Sequence, residues 1–172
     1  MKNRMAVIIV SLFTCLCISA QIQRNILGVA LGQSSQIEVT KIMTNNNINV
    51  SKMGMGTPTL YAKEIMFAGH IWEFAIIEFY KDKVCMIEFV EPSVNTSQHS
   101  LNNLWNKIYK ELSAKYSKYV KKSNPEVFIN CSDDCTIVEA GYKKQGSNMN
   151  LILHYIDIKL MSEKVRSYGN DL

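Results

Sequence analysis

The sequence predicts an α+β domain, a helical layer packed on an antiparallel sheet and arranged as two αβββ-like units. Three observations carry that prediction. Between Leu60 and Val90, runs rich in aromatic and β-branched residues are parted only by Ala68-Gly69-His70 and Lys81-Asp82-Lys83, connections that suit antiparallel pairing. Between Gln98 and Val120 the apolar residues follow the i, i+3, i+4, i+7 spacing of one helix face. Strand-like runs return after Pro125, so helices and strands are segregated along the chain.

Taken in order, Met1–Ala20 has the layout of a secretory signal peptide. Lys2 and Arg4 form a positive start, Ala6 to Ile18 run largely apolar, and Ser19-Ala20 offer a small-residue cleavage site before Gln21. The run is too short for the roughly 20 apolar residues of a membrane-spanning helix. Leu12-Phe13-Thr14-Cys15 is a poor lipobox, because Thr14 stands where a small residue usually precedes the lipidated cysteine. The expectation is therefore export to the periplasm or beyond, with lipid anchoring at Cys15 or Cys17 as the rival, followed by one domain over residues 21–172. Losing Lys2 and Arg4, and no acid, lowers the formal net charge from +4 to +2. So balanced a charge argues against a nucleic-acid binder, which concentrates basic residues on one surface.

Ile26 to Gly32 form a short lead-in strand or arm. Ser35 and Glu38 have capping-box spacing, and Ile37, Ile42 and Met43 supply an apolar stripe for a helix ending at Asn45-Asn46-Asn47. Met53–Pro58 reads as a loop. The strands Tyr61–Phe67, Ile71–Tyr80 and Val84–Val90 follow, then a helix from Gln98 to Val120 burying Leu101, Leu104, Trp105, Ile108, Leu112, Tyr116 and Tyr119. Glu126–Asn130, Thr136–Lys143 and Asn148–Leu160 complete the strands, with a short polar tail or a last turn of helix after them. The order suggests an internal duplication over residues 33–92 and 97–160.

Gly28-Val29-Ala30-Leu31-Gly32-Gln33-Ser34, ahead of a helix carrying Glu38-Val39, resembles the G-x-x-L-G-x-S opening of small secreted bacterial proteins of uncharacterised function. It is also similar to the glycine-led helix start of BamE-like (SmpA/OmlA) outer-membrane assembly lipoproteins. The helix-plus-three-strands unit resembles the repeat of β-lactamase-inhibitor-protein-like folds. These resemblances imply a binding or assembly domain of the cell envelope.

Of the three cysteines beyond the leader, Cys131 and Cys135 bracket Ser132-Asp133-Asp134, and a hairpin there would bring them within reach of a disulfide. Cys85 lies mid-strand as a small buried thiol. Only His70, His99 and His154 are present, without metal-ligand spacing, so no metal and no cofactor is expected. If Lys81-Asp82-Lys83 is a three-residue loop, Glu88 falls opposite Ile76, and Glu78 and Glu88 become diagonal neighbours on one sheet face. The same register puts Trp72, Phe74 and Met86 on the face opposite Ala75, Ile77, Phe79, Ile87 and Phe89. That second face is either covered by another segment or forms an interaction or homodimer surface around Trp72, Phe74 and Met86. No catalytic residue is assigned. The reading is an exported binding or assembly domain without catalytic activity, its partner a protein or a small molecule. The alternative is an exported hydrolase using Glu78, Glu88 and His154, and a third is an inhibitor-like module.

Overall fold

The computed structural model describes residues 21–53, 58–94, 96–145 and 148–169. The leader Met1–Ala20, with its cleavage and lipidation sites, lies outside the described residues, as do residues 54–57 of the loop expected at Met53–Pro58.

An N-terminal hairpin of β1 (Asn25–Ile26) and β2 (Val29–Ala30) turns on Leu27 and Gly28 at φ +57° and +84°, as the favoured two-residue hairpin turns require. Helix α1 (Gln36–Asn45) starts from the expected capping box. Ser35 Oγ accepts from the Glu38 amide, and Glu38 Oε2 accepts from the Ser35 amide at 2.7 Å. Its buried stripe is Val39 and Met43, one turn apart, whereas Ile37 falls on the solvent side and is 80% exposed. Met43 and the half-buried Ile42 keep their expected places against the core, and Val39 takes the place expected of Ile37.

Eight strands then form one antiparallel sheet: β3 (Val50–Lys52), β4 (Thr59–Phe67), β5 (His70–Tyr80), β6 (Lys83–Glu91), β7 (Val120–Asn124), β8 (Phe128–Ser132), β9 (Thr136–Gln145) and β10 (Asn148–Asp157). Their spatial order is β3-β4-β5-β6-β10-β9-β8-β7. Two four-strand meanders, each preceded by a helix, therefore meet along β6 and β10. Where three strands per unit were expected, β3 and β7 add a short edge strand to each half. Helix α2 (Gln98–Lys115) buries Leu101, Leu104, Trp105, Ile108 and Leu112 as its spacing predicts. It stops short of Val120, because a 3-10 turn at Ser117–Tyr119 releases the chain into β7, where Val120 pairs with Cys131.

Helices α1 and α2 cover one side of the sheet, here the inner face. There Val39, Met43 and the α2 stripe join Ala75, Ile77, Phe79, Ile87, Phe89, Val138, Leu151 and Leu153 in one core. Each of the larger aliphatic and phenylalanine side chains among them contributes roughly 1.5–3 kcal/mol through burial. Strict alternation fails at two places. Inward positions on β4 run Leu60, Ala62 and then Ile65, while those on β5 run Phe79, Ile77, Ala75 and then Trp72. Both strands slip by one at the level of Glu64, whose φ is +53°. The slip carries Trp72 into the core, fully buried, with its indole N–H donating to the Phe67 carbonyl at 3.2 Å.

The second irregularity lies on β6. Lys81 and Asp82, at φ +49° and +56°, make a two-residue turn so that Tyr80 pairs with Lys83. A bulge at Cys85 then shifts the register back, and Ile76 faces Glu88 as expected. The chain ends in α3 (Ile158–Gly169) where a continued strand to Leu160 was expected. Asp157 Oδ1 accepts from the Leu160 amide at 2.8 Å, satisfying a first-turn donor and starting the helix.

Candidate functional site

Among the described residues, the opposite, outer face of the sheet is only partly covered. Helix α3 lies against β5, β6 and β10, and its Lys164 reaches Glu78 at 2.6 Å. Met86 is the cross-strand partner of Glu78 at this covered end, and both Met86 and Phe74 are half-buried. Of the surface expected from Trp72, Phe74 and Met86, Trp72 is therefore removed to the inner face, leaving two residues at separate places on the outer one. Tyr61 stands 5.5 Å from Phe74, ring centroid to ring centroid.

Beyond α3 the pairing register lines up one polar row across five strands. Glu88 on β6 faces His154 on β10, His154 faces Glu139 on β9, Glu139 faces Asn130 on β8, and Asn130 faces Lys122 on β7. Direct cross-strand partners bring their Cβ atoms within about 5 Å, so neighbours in such a row touch. They do so here: His154 Nε2 is hydrogen-bonded to Glu88 Oε2, and Asn130 Nδ2 donates to Glu139 Oε1. Glu88 and His154 are both buried, which their mutual hydrogen bond makes tolerable.

The next row on the same face is apolar, with Val90, Ile152, Gly141 and Phe128 in register. Gly141 is required by its neighbours, since a Cβ there would sit 2.6 Å from the Val127 carbonyl oxygen and 2.9 Å from Phe128 Cβ. The bare glycine lets Phe128 settle against the sheet. Between these rows lies a groove of about 530 Å³, bordered by His154, Glu139, Asn130, Phe128, Ile152 and the lysines 122 and 143. It is within the size range of small-molecule sites and mixes apolar walls with a few polar groups.

The other candidate chemistry is dispersed. Cys131 and Cys135 are free thiols, which overturns the expected disulfide. The hairpin turns on Asp133 to Thr136, with Ser132 opposite Ile137, so Cys131 faces Val138 in the core while Cys135 sits exposed in the turn itself. Burial pushes the Cys131 thiol up to about 11, and burial likewise raises Cys85 to about 11. Cys85 Sγ donates to the Glu78 carbonyl oxygen at 3.4 Å, so the bulge turns it toward the covered end of the sheet and the structure does not pair it with His154. Glu78 and Glu88 share the outer face as expected, but each has its own basic partner, Lys164 and His154. His70 is tied to Glu91 at 3.2 Å, and His99 lies on the exposed side of α2 beside Asn103.

The glycine-led opening also resolves into structure. Gly32 adopts φ +80°, and a Cβ there would fall on the Asp157 carboxylate and within 2.5 Å of Arg24 Nη2. Ser34 Oγ accepts from the Ala30 amide at 3.0 Å, and Leu31 is buried. The motif docks the N-terminal arm onto the end of β10.

Sequence reasoning grouped Glu88 and His154, with Glu78, as hydrolase candidates but missed the row. Asn130, Glu139 and Lys122 are scattered along the chain, and only the meander register assembles them. The chain matches no protein-family model, no curated protein and no solved structure.

Proposed function

We propose that this chain is an exported binding domain without catalytic activity, with its ligand seat on the outer sheet face over β7–β10. One observation carries the reading: the groove of about 530 Å³ lies where a partly buried polar row, hydrogen-bonded from Glu88 to His154 and from Asn130 to Glu139, meets an apolar row closed by Phe128 and Gly141. Such a seat combines shape with a few oriented polar groups, the usual composition of a small-molecule site. Catalysis finds less support. His154 Nε2 is engaged by Glu88 and Glu78 by Lys164, so the groups of the hydrolase reading are spent on holding the sheet and α3 together.

The leader Met1–Ala20 supports a periplasmic or secreted location. The doubled sequence of helix and meander supports the duplication reading, with β6 and β10 as the joint, and with it the likeness to inhibitor-type binding folds drawn from the sequence. The experiment is a small-molecule screen by amide NMR on the purified protein. Hits should move the amides of Phe128, Ala140, Gly141 and Ile152 together, and Phe128→Ala should abolish them. A screen whose hits cluster elsewhere, or that move no groove amide, overturns the reading.

A further inference from the structure

The groove is chemically divided, and the division selects among ligands. Its wall is apolar, with Phe128 and Ile152 flanking Gly141 in one cross-strand row. Its floor carries the Glu139 carboxylate, held by Asn130 Nδ2 and adjacent to His154. Its rim carries Lys122 and Lys143, both exposed and without an acidic partner among the described residues. Lys122 Nζ lies 5.7 Å from the Phe128 ring centroid and so already holds the cation-π position over that ring.

A cationic ligand would be repelled by both rim lysines and gain nothing at a ring that Lys122 already serves, whereas an anionic ligand draws Lys122 onto its own charge and frees the Phe128 face. An anionic group cannot sit on the floor, where Glu139 would repel it, but it is welcome at the rim. The floor, for its part, offers a carboxylate acceptor to a hydroxyl or N–H.

Resting on the binding reading above, we infer that the groove takes a small aromatic carboxylate. Its flat apolar body lies on Phe128 and Ile152, its carboxylate turns outward to Lys122 and Lys143, and a donor at the far end meets Glu139. The lysines are solvent-exposed, so their share of the affinity is modest and weakened by salt.

The test is an amide NMR titration of the purified protein with three probes: 6-hydroxy-2-naphthoate, its methyl ester, and 2-naphthoate. The hydroxy acid should shift Phe128, Gly141 and Lys143 amides and bind about fivefold more tightly than the ester, the scale of exposed charge pairs. In the double variant K122Q/K143Q the acid should bind no more tightly than the ester does to that same variant, and added NaCl should weaken the acid alone in the native protein. Removing the probe's hydroxyl should weaken binding in the native protein but not in Glu139→Ala. An ester that binds as well as the acid, or an acid that is indifferent to K122Q/K143Q, overturns the carboxylate class while the groove still binds. If none of the three probes moves a groove amide in the folded protein, the aromatic-carboxylate class is overturned, while the binding reading stands or falls on the wider screen.

Discussion

His154 Nε2 is hydrogen-bonded to Glu88 Oε2, and the same two residues are direct cross-strand partners on β10 and β6. The β6–β10 ladder is where the two meanders join into one sheet. A buried polar pair at that joint is costly unless both members stay, because a lone buried charge or unpaired nitrogen has nothing to replace water. It also fixes which residue of β10 faces which residue of β6, and a one-residue slip would turn every side chain to the wrong face.

Glu88→Ala or His154→Ala alone should therefore lower stability by about 3 kcal/mol, the usual cost of breaking a buried pair from one side. The double variant E88L/H154L should lose less than either, since Val90 and Ile152 offer apolar neighbours. Urea denaturation midpoints of the three proteins check this; single variants with native midpoints would show that the pair holds nothing.

Arg24 Nη2 meets Asp157 Oδ2 at 2.5 Å directly beside Gly32. Gly32→Ala combines a strained positive φ with a collision against this pair and should cost about 2 kcal/mol or more. Gly28→Ala, at φ +84° but with only Ile42 Cγ2 at 3.3 Å nearby, should cost less. Thermal denaturation of the two variants gives the order.

Alkylation by iodoacetamide near neutral pH, followed by peptide mapping, should label Cys135 and spare Cys85 and Cys131. With a thiol pushed up to about 11, the reactive thiolate at pH 8 is about a thousandth of the population. A Cys131–Cys135 crosslinked peptide from the untreated protein would contradict the hairpin register.

Hydrogen bonds from the Ser35 amide and hydroxyl hold the Glu38 carboxyl below its ordinary value of 4.5. The folded state thus binds the proton less readily than the unfolded chain. The capping contribution is complete above about pH 4.5 and fades as the pH falls through the lowered folded value. The stability advantage over Glu38→Ala should be constant from pH 5 to 7 and shrink in acid; denaturation midpoints across that range show it, and an advantage that grows in acid would reverse the sign.

Trp72→Ala should cost about 3–5 kcal/mol, as expected for emptying the site of a fully buried indole. Phe74→Ala, on the outer face, should cost far less. Comparable losses for the two would restore Trp72 to the outer surface where alternation alone had placed it.

Local rules explain what was legible in the chain. Hairpin meanders, the capping box at Ser35 and the α2 stripe depend on neighbours a few residues apart, whereas Ile76 faces Glu88 because a two-residue turn at Lys81-Asp82 and the bulge at Cys85 offset each other. The failures came where long-range contacts override local pattern. A positive φ at Glu64 inverts Trp72, a bulge turns Cys85, and strand pairing pulls Val120 out of the helix. The register of β8 with β9 separates Cys131 from Cys135.

By itself, then, the sequence determined the α+β fold class and most element positions, because these follow from periodicity and turn chemistry. The candidate site was decided by tertiary structure alone. Glu88, Lys122, Asn130, Glu139 and His154 form a row only when two meanders pair through β6 and β10, and Gly141 matters only once Phe128 lies across it. Cross-strand neighbours are chosen by register, and register is a property of the assembled sheet.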